Sequence, residues 1–226
     1  MAAQPGQATD DPLFRQLSDI SEKVFGSYDR YFPYTIMWPW VAARLQKLSS
    51  GSRVLDLGAG ITPLPLFLAQ LGMSVDCVDN HPTVRTLPFP KTWTGWGFFD
   101  YGVLDPAIEA HHCSVADFET SKRFDAVYSI GLIAHLRHDV RRSLFARCAR
   151  WLANSAMLLL AIDLIPSTDF LWNRCQDQEV EAPVVHGTVQ AVSEELVSAG
   201  FWVKDLRIER NVPEARTDIL LIHASR

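Results

Sequence analysis

Residues 52–80 read SRVLDLGAGITPLPLFLAQLGMSVDCVDN. An apolar strand over 52–60 runs into a Gly-x-Gly turn at Gly58 and Gly60. A helix over 62–72 follows and stops at Gly72, with Pro63 and Pro65 tolerated in its first turn. A second strand over 73–80 closes on Asp79. A helix between two strands forces a crossover, so both strands lie parallel in one sheet. The alternation continues, with strands expected at 111–118, 123–131 and 156–166 and helices at 138–152 and 188–199. The run AMLLLAI at 156–162 is unbroken, as a strand covered on both faces requires. Strands at 201–210 and 217–225 have only about six residues between them, too few for a parallel crossover, so they pair antiparallel. The pattern predicts an α/β fold with a mostly parallel sheet. Before it, residues 12–48 read as a helical cap, interrupted near Gly26 and again at Pro33 and Pro39. Residues 81–110 read as loop with at most short helices. The whole, 1–226, reads as one domain, with a core over about 50–226.

The turn at 58–60 is where a ligand belongs. Glycine lets the chain turn sharply and lets a ligand approach the backbone, and open α/β sheets bind across the carboxyl ends of their strands. Asp79, 21 residues after Gly58, can accept from both hydroxyls of a ribose. Together these features point to an adenosine-bearing cofactor. A dinucleotide turn has a third glycine, because pyrophosphate rests on the helix start. Here Thr62 and Pro63 follow Gly60, and the prolines remove amides. Asp56 repels a phosphate but suits a cationic amino-acid end. The residues therefore favour S-adenosylmethionine, a sulfonium without phosphate.

These segments resemble the class I S-adenosylmethionine-dependent methyltransferases of the small-molecule type. VLDLGAG (54–60) resembles their first motif and VDCVDNHP (75–82) their second-strand acidic motif. SVADFE (114–119) resembles the adenine segment, FDAVYSIGLIAHL (124–136) the fourth-strand motif, and SEELVSAGF (193–201) the penultimate helix. The likeness covers roughly 50–226. It implies a Rossmann-like, doubly wound seven-stranded sheet in order 3-2-1-4-5-7-6 with an antiparallel last strand. It also implies roles. Asp56, Gly58 and Gly60 line the methionine end, and Asp79, with Asn80 beside it, holds the ribose. Asp117 accepts from the adenine amine, Phe118 packs on the ring, and Ser129 and Ile130 border the sulfonium. Phe118 suits a core position equally well, and Asp117 a turn.

Methyl transfer is an in-line displacement, which needs an aligned acceptor and gains from a base. His135 is the first candidate base, and His186 and Tyr34 are two further residues that could face the pocket. Of 24 aromatic residues, seven lie in 25–40 and six in 89–101, a distribution that fits either an apolar lid over a small acceptor or plain core packing. The acidic stretch 163–187 (Asp163, Asp169, Asp177, Glu179 and Glu181 against Arg174) fits a wall for a neutral or cationic acceptor or a solvated loop.

Composition sets the outer limits. A net charge of −5 argues against nucleic acid or an anionic membrane as the main partner, leaving a small-molecule acceptor. The five arginines between 137 and 150 read as a solvated helix face. SIGLIAH after the fourth strand is unlike an Asn-Pro-Pro-Tyr element, which speaks against a base amine as acceptor. No secretory or membrane segment is expected. Cys77, Cys113, Cys148 and Cys175 stand far apart and read as reduced thiols of a cytoplasmic protein, monomer or homodimer. His111–His112 and His135/His138 lack a third ligand at motif spacing, so no metal is expected. The alternatives are an NAD(P)-dependent oxidoreductase and a non-catalytic binding module on the same fold.

Overall fold

A computed structural model describes residues 11–26, 33–89, 97–172, 183–211 and 216–226. The chain forms two compact units, 1–118 and 119–226.

In the first unit, α1 spans Pro12–Phe25. The Asp11 side chain accepts from the Leu13 and Phe14 amides at 2.8 and 3.2 Å, satisfying two of the amides a helix start leaves open. Phe14, Leu17, Ser21 and Phe25 form its buried stripe, and the helix ends at Gly26 as expected. α2 spans Tyr34–Leu45 and runs straight through Pro39, where an interruption was expected. An interior proline removes a helix hydrogen bond, at a cost of about 3 kcal/mol. Here Met37, Trp38, Trp40, Val41, Ala42 and Leu45 are all buried, and burying that surface offsets the cost.

The strand–helix–strand unit forms as expected: β1 (Arg53–Leu57), α3 (Leu64–Gln70) and β2 (Ser74–Asp79). β1 and β2 are parallel, with Asp56 opposite Cys77. Among the described residues, the expected loop at 81–110 holds two short strands, β3 (Val84–Arg85) and β4 (Phe98–Phe99), paired parallel, and a 3-10 turn at Tyr101–Val103. Two-residue strands carry no periodicity, so the sequence gives no sign of them. The third long strand, β5, is Ile108–His112 rather than 111–118, and lies parallel to β2. Residues 114–118 form a turn instead. The Ser114 carbonyl accepts from the Asp117 and Phe118 amides, and its hydroxyl accepts from the Ala116 amide. A serine that bonds its own backbone competes with the strand ladder.

In the second unit, β6 (Phe124–Ile130) leads into a 3-10 turn at Ile133–His135 and then α4 (His138–Trp151). β7 (Leu152–Leu164) is parallel to β6 and antiparallel to the last strand. Residues 158–164 are all buried, which accounts for their apolar run. A four-residue helix, α5 (Pro183–His186), precedes α6 (Val189–Ser198), which Thr188 caps by accepting from the Ala191 amide. β8 (Trp202–Glu209) and β9 (Asp218–Ser225) are the expected antiparallel pair. The strand order is β5-β2-β1-β6-β7-β9-β8, the order the resemblance implies with β9 antiparallel.

Among the described residues no helix is long and apolar enough to cross a membrane. Cys77 and Cys148 are buried thiols and Cys113 is half-buried, all outside any disulfide. Cys175 lies outside the described residues, as do Tyr28, Tyr31, Phe32, Trp93, Trp96, Arg174, Asp177, Glu179 and Glu181.

Candidate functional site

The glycine turn of the first unit is held from three sides. Gly58 and Gly60 have φ of 75° and 51°, the left-handed region that side-chain-bearing residues enter at a cost. The Gly58 and Ala59 amides donate to the Val78 carbonyl at 2.8 and 3.2 Å, folding the turn over the end of β2. Asp79 completes the fold-back. One carboxylate oxygen accepts from the Gly60 amide at 2.9 Å and the other from the His81 amide at 2.7 Å. Each oxygen keeps acceptor capacity for a further donor, so the carboxylate can take a vicinal diol while it holds the turn.

The third support is Tyr101. Its fully buried hydroxyl accepts from the Thr62 amide at 2.8 Å and lies 3.0 and 3.1 Å from the Gly60 and Thr62 carbonyls, between which its one proton is placed to donate. Burial pushes the phenol pKa well above its usual value, so the donor keeps its proton. The sequence marks Tyr101 only as one of many aromatics. A polar aromatic among apolar ones, needing a partner when buried, is the signal that distinguishes it.

Asp56 is 2% exposed on β1. No Lys or Arg stands between Val54 and Asn80. Burial, and then the negative charges of Asp56, Asp76, Asp79 and Asp100, push the Cys77 thiol up. The Thr62 hydroxyl, one residue before Pro63 at the place of a dinucleotide turn's third glycine, is buried and makes no hydrogen bond. Pro63 caps α3 and Pro65 stands in its first turn, so the helix start lacks two amides. These residues fit a cation with hydroxyl donors and disfavour a pyrophosphate.

The other expected residues of this unit differ in their exposure. Asn80 is exposed just past β2, and Asp117 is exposed on the 114–118 turn. Phe118 is buried and tilts against the His111 ring, centroids 5.0 Å apart. Tyr34 opens α2, buried and stacked on Trp38 at 4.6 Å. In the aromatic group at 89–101, Phe89, Phe99 and Tyr101 pack edge-on around Phe25.

In the second unit, Ser129 is buried within β6 and Ile130 is its half-buried last residue. His135 is exposed at the end of the 3-10 turn, and His186 is buried at the end of α5. One side chain connects their two segments. Arg141, expected on a solvated face, is completely buried. It pairs with Glu195 through Nε–Oε2 at 2.5 Å and Nη2–Oε1 at 2.8 Å. Its Nη1 donates to the His186 carbonyl at 2.7 Å and the Leu136 carbonyl at 3.3 Å. Arg147 is also buried, so the solvated-face expectation holds for Arg137, Arg142 and Arg150 only. The signal was present: Arg141 stands three, four and seven residues before Leu144, Phe145 and Cys148, on the apolar stripe of α4.

No protein-family model matches the sequence, and a search of curated proteins finds no match. Solved structures do. The 1,6-didemethyltoxoflavin-N1-methyltransferase of Burkholderia thailandensis, with 1,6-didemethyltoxoflavin and S-adenosylhomocysteine bound, is similar over all of this chain and 92% of its own, at 18% identity and TM-score 0.59. The glycopeptide N-methyltransferase MtfA complexed with S-adenosylmethionine is similar over 89% and 96%, at 18% identity and TM-score 0.58. A TehB-like S-adenosylmethionine-dependent methyltransferase of Corynebacterium glutamicum is similar over 99% and 100%, at 14% identity and TM-score 0.57. The chain therefore has the fold of the class I S-adenosylmethionine-dependent methyltransferases.

Proposed function

We propose that this protein is an enzyme that transfers a methyl group from S-adenosylmethionine to an oxygen or nitrogen of a small-molecule acceptor. The observation that carries the reading is the Asp79 carboxylate, which clamps the Gly60 amide while keeping acceptor capacity toward a ribose, beside a turn with an acidic residue and no basic one. The similar structures support it, since one was crystallised with a small heterocyclic substrate and S-adenosylhomocysteine and another with S-adenosylmethionine.

When bound, the cofactor supplies an electrophilic methyl carbon on a sulfonium. The chain's residues hold and orient. Asp79 accepts from the ribose hydroxyls with Asn80 alongside. Asp56, Gly58 and Gly60 receive the cationic methionine end, Asp117 accepts from the adenine amine, and Phe118 supports the ring. Ser129 and Ile130 border the sulfur. His135 takes the acceptor's proton as the nucleophile attacks, with His186 and Tyr34 as the other residues facing the acceptor. Residues 1–226 act as one methyltransferase domain capped by 12–48, in the cytoplasm, as a monomer or homodimer, without nucleic acid or membrane.

The test is incubation with methyl-labelled cofactor and a fractionated metabolite extract. Label passing to a small molecule supports the reading. His135→Ala is expected to cut turnover at least about a hundredfold while leaving S-adenosylhomocysteine affinity unchanged. Cofactor binding with no label transfer to any fraction would favour the binding-module alternative.

A further inference from the structure

Asp76, Glu109 and His111 come together on one face of the β2–β5 pair. Asp76 and Glu109 are register partners on the two parallel strands. His111 lies two residues beyond Glu109, so alternation returns it to the same face. Its Nε2 lies 3.3 Å from an Asp76 carboxylate oxygen and 3.6 Å from one of Glu109, and all three donor atoms fall within 4.8 Å of one another. The Asp76 side chain is 8% exposed, that of His111 24% and that of Glu109 61%.

We propose that these three residues form a binding site for a divalent transition-metal ion of the zinc type, separate from the glycine turn. A tetrahedral zinc ion, with bonds of about 2.0–2.1 Å, spaces its ligand atoms about 3.4 Å apart. The two His111 distances bracket that spacing. The donor set of one imidazole and two carboxylates suits zinc, cobalt and nickel, and the two carboxylates neutralise a divalent charge. Asp76 and His111 form the fixed pair. Glu109, with more than half of its side chain in solvent, swings in as the third ligand, and water takes the fourth position from that open side. Ligation at Nε2 leaves the proton on Nδ1 and fixes the His111 ring against Phe118. Sequence spacing hides the site, because Asp76 and Glu109 stand 33 residues apart and only the strand register joins them.

Cobalt is the probe. Chelator-treated full-length protein is titrated with Co²⁺ and followed by visible ligand-field absorption, which separates four- from six-coordinate ions by intensity. The expected result is one Co²⁺ per chain with a four-coordinate spectrum, bleached by stoichiometric Zn²⁺. Asp76→Asn and His111→Ala should each weaken binding at least about tenfold. His112→Ala, whose ring stacks on Phe98 at 4.3 Å on the other face of β5, should bind as the unaltered chain does. Glu109→Gln, at an exposed position that threatens no folding, should lose the four-coordinate spectrum even if a core variant misfolds. No spectrum, a six-coordinate spectrum alone, or binding unchanged by His111→Ala or Glu109→Gln would overturn the site and leave His111 and Asp76 as an ion pair. None of these outcomes depends on methyl transfer.

Discussion

Arg141→Met removes a guanidinium from a place where it cannot be replaced by water. The side chain is completely buried, and Glu195 beside it is 8% exposed. With the arginine gone, the Glu195 carboxylate loses both of its charge-assisted bonds, and the His186 and Leu136 carbonyls lose a donor. Breaking a buried pair on one side costs about 3–5 kcal/mol, because a charge stays behind uncompensated. The two carbonyls add about 1 kcal/mol each where water does not reach them. The sum, about 5–7 kcal/mol, rivals the entire stability of many domains. The double variant Arg141→Met/Glu195→Leu removes the orphan charge and should recover most of the loss. Equilibrium urea unfolding measures both. With a slope of about 2–3 kcal/mol per molar, the single variant should lower the midpoint by roughly 2–3 M and the double variant by under about 1 M. A single variant costing less than about 1 kcal/mol, or a double variant costing the sum of its parts, would refute the reasoning. Either result would mean that the pair is solvated and that the segments ending in Leu136 and His186 are held by something else.

Tyr101→Phe keeps the ring among Phe25, Phe89 and Phe99 but strands the Thr62 amide, so stability should fall by about 1–3 kcal/mol, and calorimetry should find S-adenosylhomocysteine bound roughly tenfold more weakly as the 58–62 turn loosens. Burial raises the Cys148 thiol to about 12, so the folded chain keeps its proton where the unfolded chain, near 9, gives it up. The stability this contributes is complete below about pH 9 and is lost as pH rises toward 12, so the urea midpoint should fall between pH 8 and pH 10.5 by less in Cys148→Ala than in the unaltered chain.

The architecture was legible because its signals are local and repeated. Gly58, Gly60 and Asp79 mark the strand ends, the unbroken apolar run of β7 marks a strand with neighbours on both sides, and the short link before β9 dictates its direction. The errors fall where tertiary packing, or in one place a competing local bond, overrode a local rule. Pro39 stays within α2 because that helix is buried nearly all round. The third strand falls three residues early because Ser114 bonds its own backbone. Arg141 was read by its charge and not by its place on the apolar stripe of α4, and Glu195 lies 54 residues further on. Tyr101 sits 39 residues from the Thr62 amide it accepts from, and no spacing rule reaches that far. The glycine turn and Asp79 were thus readable, and Tyr101, which also braces that turn, was not.

What the turn at 58–60 prefers to hold separates a sulfonium cofactor from a dinucleotide. Isothermal titration calorimetry with S-adenosylhomocysteine, and in parallel with NADH, measures that preference directly. One site with a Kd of about 1–50 μM for S-adenosylhomocysteine is expected, weakened at least about thirtyfold (roughly 2 kcal/mol) by Asp79→Ala, with no heat from NADH. Tight binding of NADH, silence with S-adenosylhomocysteine, or an affinity unmoved by Asp79→Ala would contradict it.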